Sequence, residues 1–287
     1  MGRKKKYNDN QLRDYSSLFT RSSVQQWLKG NFASIENIAQ QHDSTLFAKT
    51  IGSYLDYLKY VYKILEANYQ NEYILKNSFL NEWLINQLGN SNNKVFSEYR
   101  VGNSIADLAM FNGVSRVFEI KTELDSKQRL DSQIDNYKLA FNEIYLIVPR
   151  SKLQLYSNNN FDIGIVAYDL AAESKFQVMR KAKTQAVVDP NTIMNILHTK
   201  EYKKVVQRYY GSLPEMTSFT QFQICADLLK AIPNETLNKL FIEQMKSRVH
   251  RAALSSRHKE FNQISLALKL NTDKRHLMIN ALKTPVT

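Results

Sequence analysis

An Asn-Gly pair at positions 112–113 separates two runs in which apolar residues alternate with others, Ser104–Phe111 and Arg116–Thr122. Asn-Gly favours the left-handed backbone of a tight turn, so this arrangement is the strongest short-range signal for a β-hairpin. A third run, Val95–Val101, precedes them and closes at Gly102. Three strands in succession are therefore expected, followed by a helical run from about Ser126 to Phe141. Side chains alternate faces along a strand. Glu119 and Lys121 then share one face of the third strand, and Phe118 and Ile120 take the other, assigned to the core. Asp107 shares a face with Ile105 and Ala109. If the second and third strands pair through the turn, Asp107 comes beside Glu119 and Lys121.

Two carboxylates and an ammonium at one sheet edge have a definite chemical use. Hard divalent cations such as Mg²⁺ take oxygen ligands and are often held by one or two carboxylates completed by phosphate and water. Such a cation polarises a phosphodiester and acidifies a bound water. A neighbouring lysine orients that water or stabilises charge developing on phosphorus. The plainer reading is three solvent-facing strand residues, but Asp and Glu are depleted in strands.

Asp107 followed by Glu119-Ile120-Lys121 resembles the PD-(D/E)XK nuclease superfamily, with Ala106 where the motif usually has proline. Gln133 and Tyr137 resemble the Gln-x-x-x-Tyr motif of its RecB-like branch. Glu98, Ser104–Asp107, Asn112-Gly113, Glu119–Thr122, Asp125, Arg129-Leu130, Gln133 and Tyr137, with the later runs Glu143–Pro149 and Asp162–Asp169, are together similar to a small bacterial family of that superfamily. The resemblance covers residues 71–170. It implies a restriction-endonuclease-like α/β core with a mixed central sheet flanked by helices. It also implies Asp107 and Glu119 as ligands of Mg²⁺ or Mn²⁺ and Lys121 as a catalytic residue. Glu98 is a further ligand or a partner of Lys121, and an acid of the first core helix, Glu72 or Glu82, is another candidate. Asp125, Arg129, Gln133 and Tyr137 are spaced by four and fall on one face of the expected helix. Arg129 there suits a phosphate, and Gln133 and Tyr137 suit the strand being cut. An Asp125–Arg129 surface ion pair is the alternative.

The flanks read as helical. Leu12–Leu28 has helical spacing, Asp43 is an expected N-cap, and Ile51–Tyr69 carries a tyrosine stripe assigned to a core rather than to base stacking. Asn71 caps a helix that Gly89 ends. Arg3–Lys6 reads as a basic arm able to touch phosphate. Downstream, Pro190 opens a helix toward Tyr210, and Asn234 caps one running to about Ser256. The organisation expected is a helical region 1–70, the core 71–183 and a basic helical region 184–287. The chain carries a formal charge of +12, and residues 180–287 hold 18 Lys and Arg against 8 Asp and Glu. A basic region beside a phosphodiesterase site suits a polyanion, with solubility as the other explanation.

No apolar run of about 18 residues is present, as a transmembrane helix would need. The charged start lacks the apolar segment of a secretory signal. A single cysteine, Cys225, fits a reducing cytoplasm and reads as a buried thiol. No His-Glu-x-x-His pattern or phosphate-binding glycine loop occurs. The function expected is metal-dependent cleavage of nucleic acid, DNA ahead of RNA, in a bacterial defence or mobile-element setting. A protein partner or self-association would use the helical flanks. The alternative is a nucleic-acid-binding or protein-interaction module with a nuclease-like core and little or no cleavage.

Overall fold

In the computed structural model, residues 7–69, 71–88, 93–157, 162–248 and 254–286 are described. The basic Arg3–Lys6 arm and the stop at Gly89 lie outside them. The chain divides into two compact units, Met1–Gln87 with His250–Thr287, and Leu88–Val249. The division departs from three consecutive segments. The helix beginning at Glu72 belongs to the first unit, and the basic C-terminal third is shared between the two.

The first unit opens with α1 (Asp9–Ser17), α2 (Arg21–Trp27), α3 (Ala33–Lys49), α4 (Tyr54–Asn68) and α5 (Glu72–Ser78). A π-helical segment, Phe79–Leu84, then leads into α6 (Ile85–Leu88). The helix expected over Leu12–Leu28 is two helices, because the Thr20 side chain accepts the Ser23 N–H and starts α2. Asp43 is not a cap. It sits at a kink inside α3, with φ −137° and ψ 26°, where Tyr15 and Tyr57 donate to its carboxylate at 2.6 and 2.8 Å. Tyr54, Tyr57 and Tyr62 of the stripe are buried, as a packed helix requires. Asn71 caps α5, its side chain accepting the Ile74 N–H at 2.8 Å.

The second unit is built on a six-stranded sheet in the order β1 (Lys94–Val101), β2 (Ser104–Phe111), β3 (Ser115–Ile120), β4 (Glu143–Pro149), β5 (Gly164–Tyr168) and β6 (Phe176–Arg180). Strand order follows chain order. β1–β2–β3 are antiparallel, β3–β4–β5 parallel, and β6 antiparallel again. The hairpin turns fall where expected, with Gly102 at φ 56° and Gly113 at φ 105°, a region that suits glycine. α7 (Leu130–Lys138) connects β3 to β4, and α8 (Leu153–Ser157) connects β4 to β5. Parallel neighbours need such crossovers.

After β6 come α9 (Pro190–Ile196), α10 (Thr199–Tyr210), α11 (Gln221–Ala231) and α12 (Asn234–Ser247). The helix expected from Pro190 to Tyr210 breaks at Leu197, and the Glu201 side chain accepts the His198 N–H to begin α10. Asn234 does not cap α12. Its amide instead pairs with the backbone of Val188, at 2.6 and 2.8 Å. These helices share one core with a sheet face and α7. Phe111 is its hub, with ring centroids 5.6–5.8 Å from Phe96, Tyr99, Phe141 and Phe241. Cys225 lies within it, fully buried. The first unit closes with α13 (Asn262–Ala267) and α14 (Thr272–Leu282).

A largely buried ion pair ties α10 to the end of α12. Arg248 holds Glu201 with two nitrogens, Nε to Oε1 at 2.7 Å and Nη2 to Oε2 at 2.5 Å. Burial, the largest single influence, pushes the Glu201 carboxyl up, but the Arg248 bonds, the His198 N–H and the Arg248 charge together outweigh it and hold the group below the usual carboxylate range. Its contribution to stability is complete at neutral pH and is lost as pH falls through that lowered value. Arg248→Met leaves Glu201 without its counter-ion and should cost about 3–5 kcal/mol. Thermal melting checks this, with a fall on the order of 10 °C expected for a unit of this size. Arg248→Met with Glu201→Gln should recover much of the loss, and a single-variant loss below about 1 kcal/mol would rank the pair with exposed ones.

Candidate functional site

The register brings the carboxylates together. Ser97 pairs with Leu108 and Tyr99 with Ala106, so Glu98 stands opposite Asp107. The β2–β3 ladder runs from Phe111↔Ser115 to Leu108↔Phe118, and one step further sets Asp107 opposite Glu119. Here the backbone pairing gives way to a side chain, as Asp107 Oδ2 accepts the backbone N–H of Ile120 at 2.7 Å. Beyond β3, Lys121 N donates to the Ile147 carbonyl at 2.8 Å, which fixes the lysine at the end of the strand.

Glu119 is the centre of the arrangement. Its Oε1 accepts from Lys121 Nζ at 2.9 Å and from Gln133 Nε2 at 2.8 Å, and its Oε2 accepts from Tyr137 OH at 2.8 Å. Lys121 Nζ also donates to Gln133 Oε1 at 3.1 Å. Glu119 is 5% exposed and Lys121 7%, so both faces of β3 are buried, including the one that carries the charges. A charge is stable at such burial only when paired and hydrogen-bonded. Burial first, and Glu119 second, push the Tyr137 hydroxyl well above its ordinary value, so it remains a donor.

α7 supplies Gln133 and Tyr137 because Leu130, Ile134 and Tyr137 are its buried residues and anchor it in the core. It is shorter than expected. Asp125 and Arg129 precede it, so the four-residue spacing does not place all four on one helical face. Asp125 instead closes a turn, its Oδ2 accepting from Thr122 N at 2.6 Å and Thr122 Oγ1 at 2.7 Å. Burial raises the Asp125 carboxyl, but those two bonds and the lysine charges bring it below the ordinary value. Arg129 is exposed at the start of α7.

The structure thus gathers Asp107, Glu119, Lys121, Gln133 and Tyr137. Gln133 and Tyr137, expected at the strand being cut, both donate to Glu119. Glu98 is exposed on β1 and has φ 53°, a left-handed conformation unusual for a non-glycine residue and costly inside a strand. Glu72, paired with Lys76 at 2.5 Å, and Glu82 both fall in the first unit. Tyr168 is an addition that the sequence pattern missed. Its hydroxyl donates to the Lys121 carbonyl at 3.3 Å from β5, a pairing across strands with no signal in local spacing.

The donor set suits a hard cation in part. Asp107 and Glu119 are oxygen donors on neighbouring strands, and a carboxylate offers about four lone-pair sites, of which Glu119 uses three. Among the described residues, no group of three or more His, Cys, Asp or Glu is placed to hold a metal. Two carboxylates completed by water and phosphate oxygens remain a known way of holding Mg²⁺.

The second unit is thus a mixed α/β domain with a buried carboxylate–lysine cluster where two strands part. The chain belongs to the family described as Bacteriophage P4 protein cII, which it matches over residues 65–274. It is similar to Protein cII of Enterobacteria phage P4, at 26% identity over 177 residues. That alignment covers 59% of this chain and 64% of the phage protein, so the chain spans somewhat less than two thirds of that relative. A fainter likeness, at 13% identity and a TM-score of 0.29, is to the SPO1766 protein of unknown function from Silicibacter pomeroyi. It covers 44% of this chain and 86% of that one, and is too slight to bear on the fold. No helix among the described residues is long and apolar enough to cross a membrane.

Proposed function

We propose that this chain is a metal-dependent nuclease that hydrolyses phosphodiester bonds, in DNA ahead of RNA, from a restriction-endonuclease-like core. The observation that carries the reading is the placement of Asp107 opposite Glu119 with the Lys121 ammonium 2.9 Å from Glu119. Asp107 and Glu119 would hold Mg²⁺ or Mn²⁺, which supplies Lewis-acid polarisation of the phosphodiester and a more acidic bound water. Lys121 places fixed positive charge where negative charge grows on phosphorus, and needs no reorganisation to do so. Gln133 and Tyr137 hold the Glu119 carboxylate in one orientation. Glu98, across from Asp107, is the nearest further acid in register. Membership of a phage protein family fits a mobile-element setting.

A second reading is a nucleic-acid-binding module with little or no cleavage. It is favoured by one feature, the three donors that already engage a Glu119 only 5% exposed. Incubation of the purified protein with plasmid, linear duplex, single-stranded DNA and RNA decides between them. Cleavage with Mg²⁺ or Mn²⁺ that EDTA abolishes is the expected result. Binding without cleavage on every substrate in both metals would give the case to the binding module.

A further inference from the structure

A cavity of about 520 Å³ lies in the first unit, against α14 and the segment before α13. Its basic lining residues are Arg257, Arg275 and Lys283, joined by the rings of His258 and His276, and no carboxylate is among its lining residues. The volume is in the usual range for a small-molecule site, but such sites are mostly apolar, and this one is cationic.

Arg275 is 3% exposed. Its Nη1 donates to Ser265 Oγ at 2.8 Å and its Nη2 to the His258 carbonyl at 2.7 Å. These two bonds hold the guanidinium on neutral acceptors. Burial lowers its proton affinity, against which Tyr73 and the charge of Glu260 act. His258 adds a second, independent sign. Its Nδ1 is buried and has no hydrogen-bond partner. Burial first, then the charges of Lys59, Arg257, Arg275 and Lys283, push this imidazole down to about 4. Several cations are therefore focused on one neutral ring with an unmet polar atom. Solubility explains exposed residues such as Arg257 and Lys283. It does not explain a guanidinium at 3% exposure or an orphaned ring nitrogen, since buried charge and unmet polar atoms both cost stability.

We propose that this cavity binds a phosphoryl group, from a free nucleotide or from a nucleic-acid backbone. Arg275 is the preorganised donor, with Arg257 and Lys283 closing on the ligand from the surface. Arginine suits this role because its planar fork matches phosphate oxygens. The site lies in the other unit from Asp107 and Glu119, and it stands without the cleavage reading.

The test uses the full-length protein in EDTA, so that no metal-dependent cleavage intrudes. Three probes are titrated: inorganic pyrophosphate, a nucleoside triphosphate, and a single-stranded oligonucleotide without terminal phosphate. The His258 imidazole resonances are followed over pH. A bound anion offsets the surrounding cations, so the His258 pKa should rise toward its ordinary value. Response to pyrophosphate and nucleotide identifies a free-nucleotide site, and response to the oligonucleotide alone identifies a backbone site. Either supports the proposal. Arg257→Gln with Lys283→Gln, both at the surface, should weaken binding at least about tenfold, the value of one charge-assisted bond. Arg275→Gln should weaken it further if that variant melts normally. No change at His258 with any probe, or unchanged affinity in the double variant, would overturn the proposal.

Discussion

Asp107→Asn should reduce cleavage to background and weaken Mn²⁺ binding, while thermal melting stays within about 1 kcal/mol of the parent protein, as for a single neutral-for-charged hydrogen-bond acceptor. The asparagine oxygen can still accept the Ile120 N–H that Asp107 takes at 2.7 Å. What is lost is the negative charge, and with it the ligand that the proposed nuclease site offers a divalent cation. Glu119→Gln should also end cleavage, but with a structural cost. The glutamate accepts from Lys121, Gln133 and Tyr137, and an amide cannot accept on both ends. One donor would face another, and Lys121 would lose its counter-charge at 7% exposure. A loss of about 3–5 kcal/mol is expected from breaking a buried pair. The contrast between the two variants is the informative part. If Asp107→Asn cuts nucleic acid at the parent rate, the site is misassigned.

Lys121→Ala carries the second large effect. If the ammonium acts on charge that develops only in the transition state, its removal slows turnover far more than it weakens binding. One such donor is worth about 3 kcal/mol, or roughly a hundredfold in rate. Single-turnover cleavage at saturating enzyme measures the first quantity. A binding titration in Ca²⁺, which fills a hard-cation site without supporting the reaction, measures the second. The variant also strands Glu119, so both measurements belong well below its melting point. Equal turnover with poorer binding would remove Lys121 from the chemistry.

The strands around this cluster were legible because their signals are local. Alternation set β2 at Ser104–Phe111 without error, and Asn112-Gly113 marked its turn. The adjacency of Asp107 and Glu119 followed from counting residues either side of that turn. The burial of Lys121 did not follow, since it depends on α7 and β4 arriving from elsewhere in the chain. The placement of Gln133 and Tyr137 was half visible. Their spacing gave a shared face, but the bonds that turn them toward Glu119 are tertiary. Helix ends were the weakest readings. Thr20, Asp43, His198 and Asn234 are polar residues able to cap, break or pair. For Asp43 and Asn234 the outcome is settled by partners far along the chain, Tyr15 for the one and Val188 for the other, whereas Thr20 and His198 find theirs three residues on, at Ser23 and Glu201. The basic C-terminal third looked like a separate region because composition does not reveal partners. Its residues in fact complete two different cores.

That sharing has a consequence for synthesis. Tyr73 donates to the Glu260 carbonyl, Asn77 accepts the Gln263 N–H at 2.9 Å, and Phe261 packs its ring against Trp27 and Phe19. A ribosome must therefore make the whole sheet-bearing unit between α6 and α13 before the first unit can close. At about 5–20 residues per second that interval is on the order of ten seconds or more. During it, α1 to α5 wait with Phe19 and Trp27 lacking the Phe261 ring, while the intervening unit emerges with its strands already in spatial order. The nascent chain then folds from the inside outward, with its earliest helices finished last.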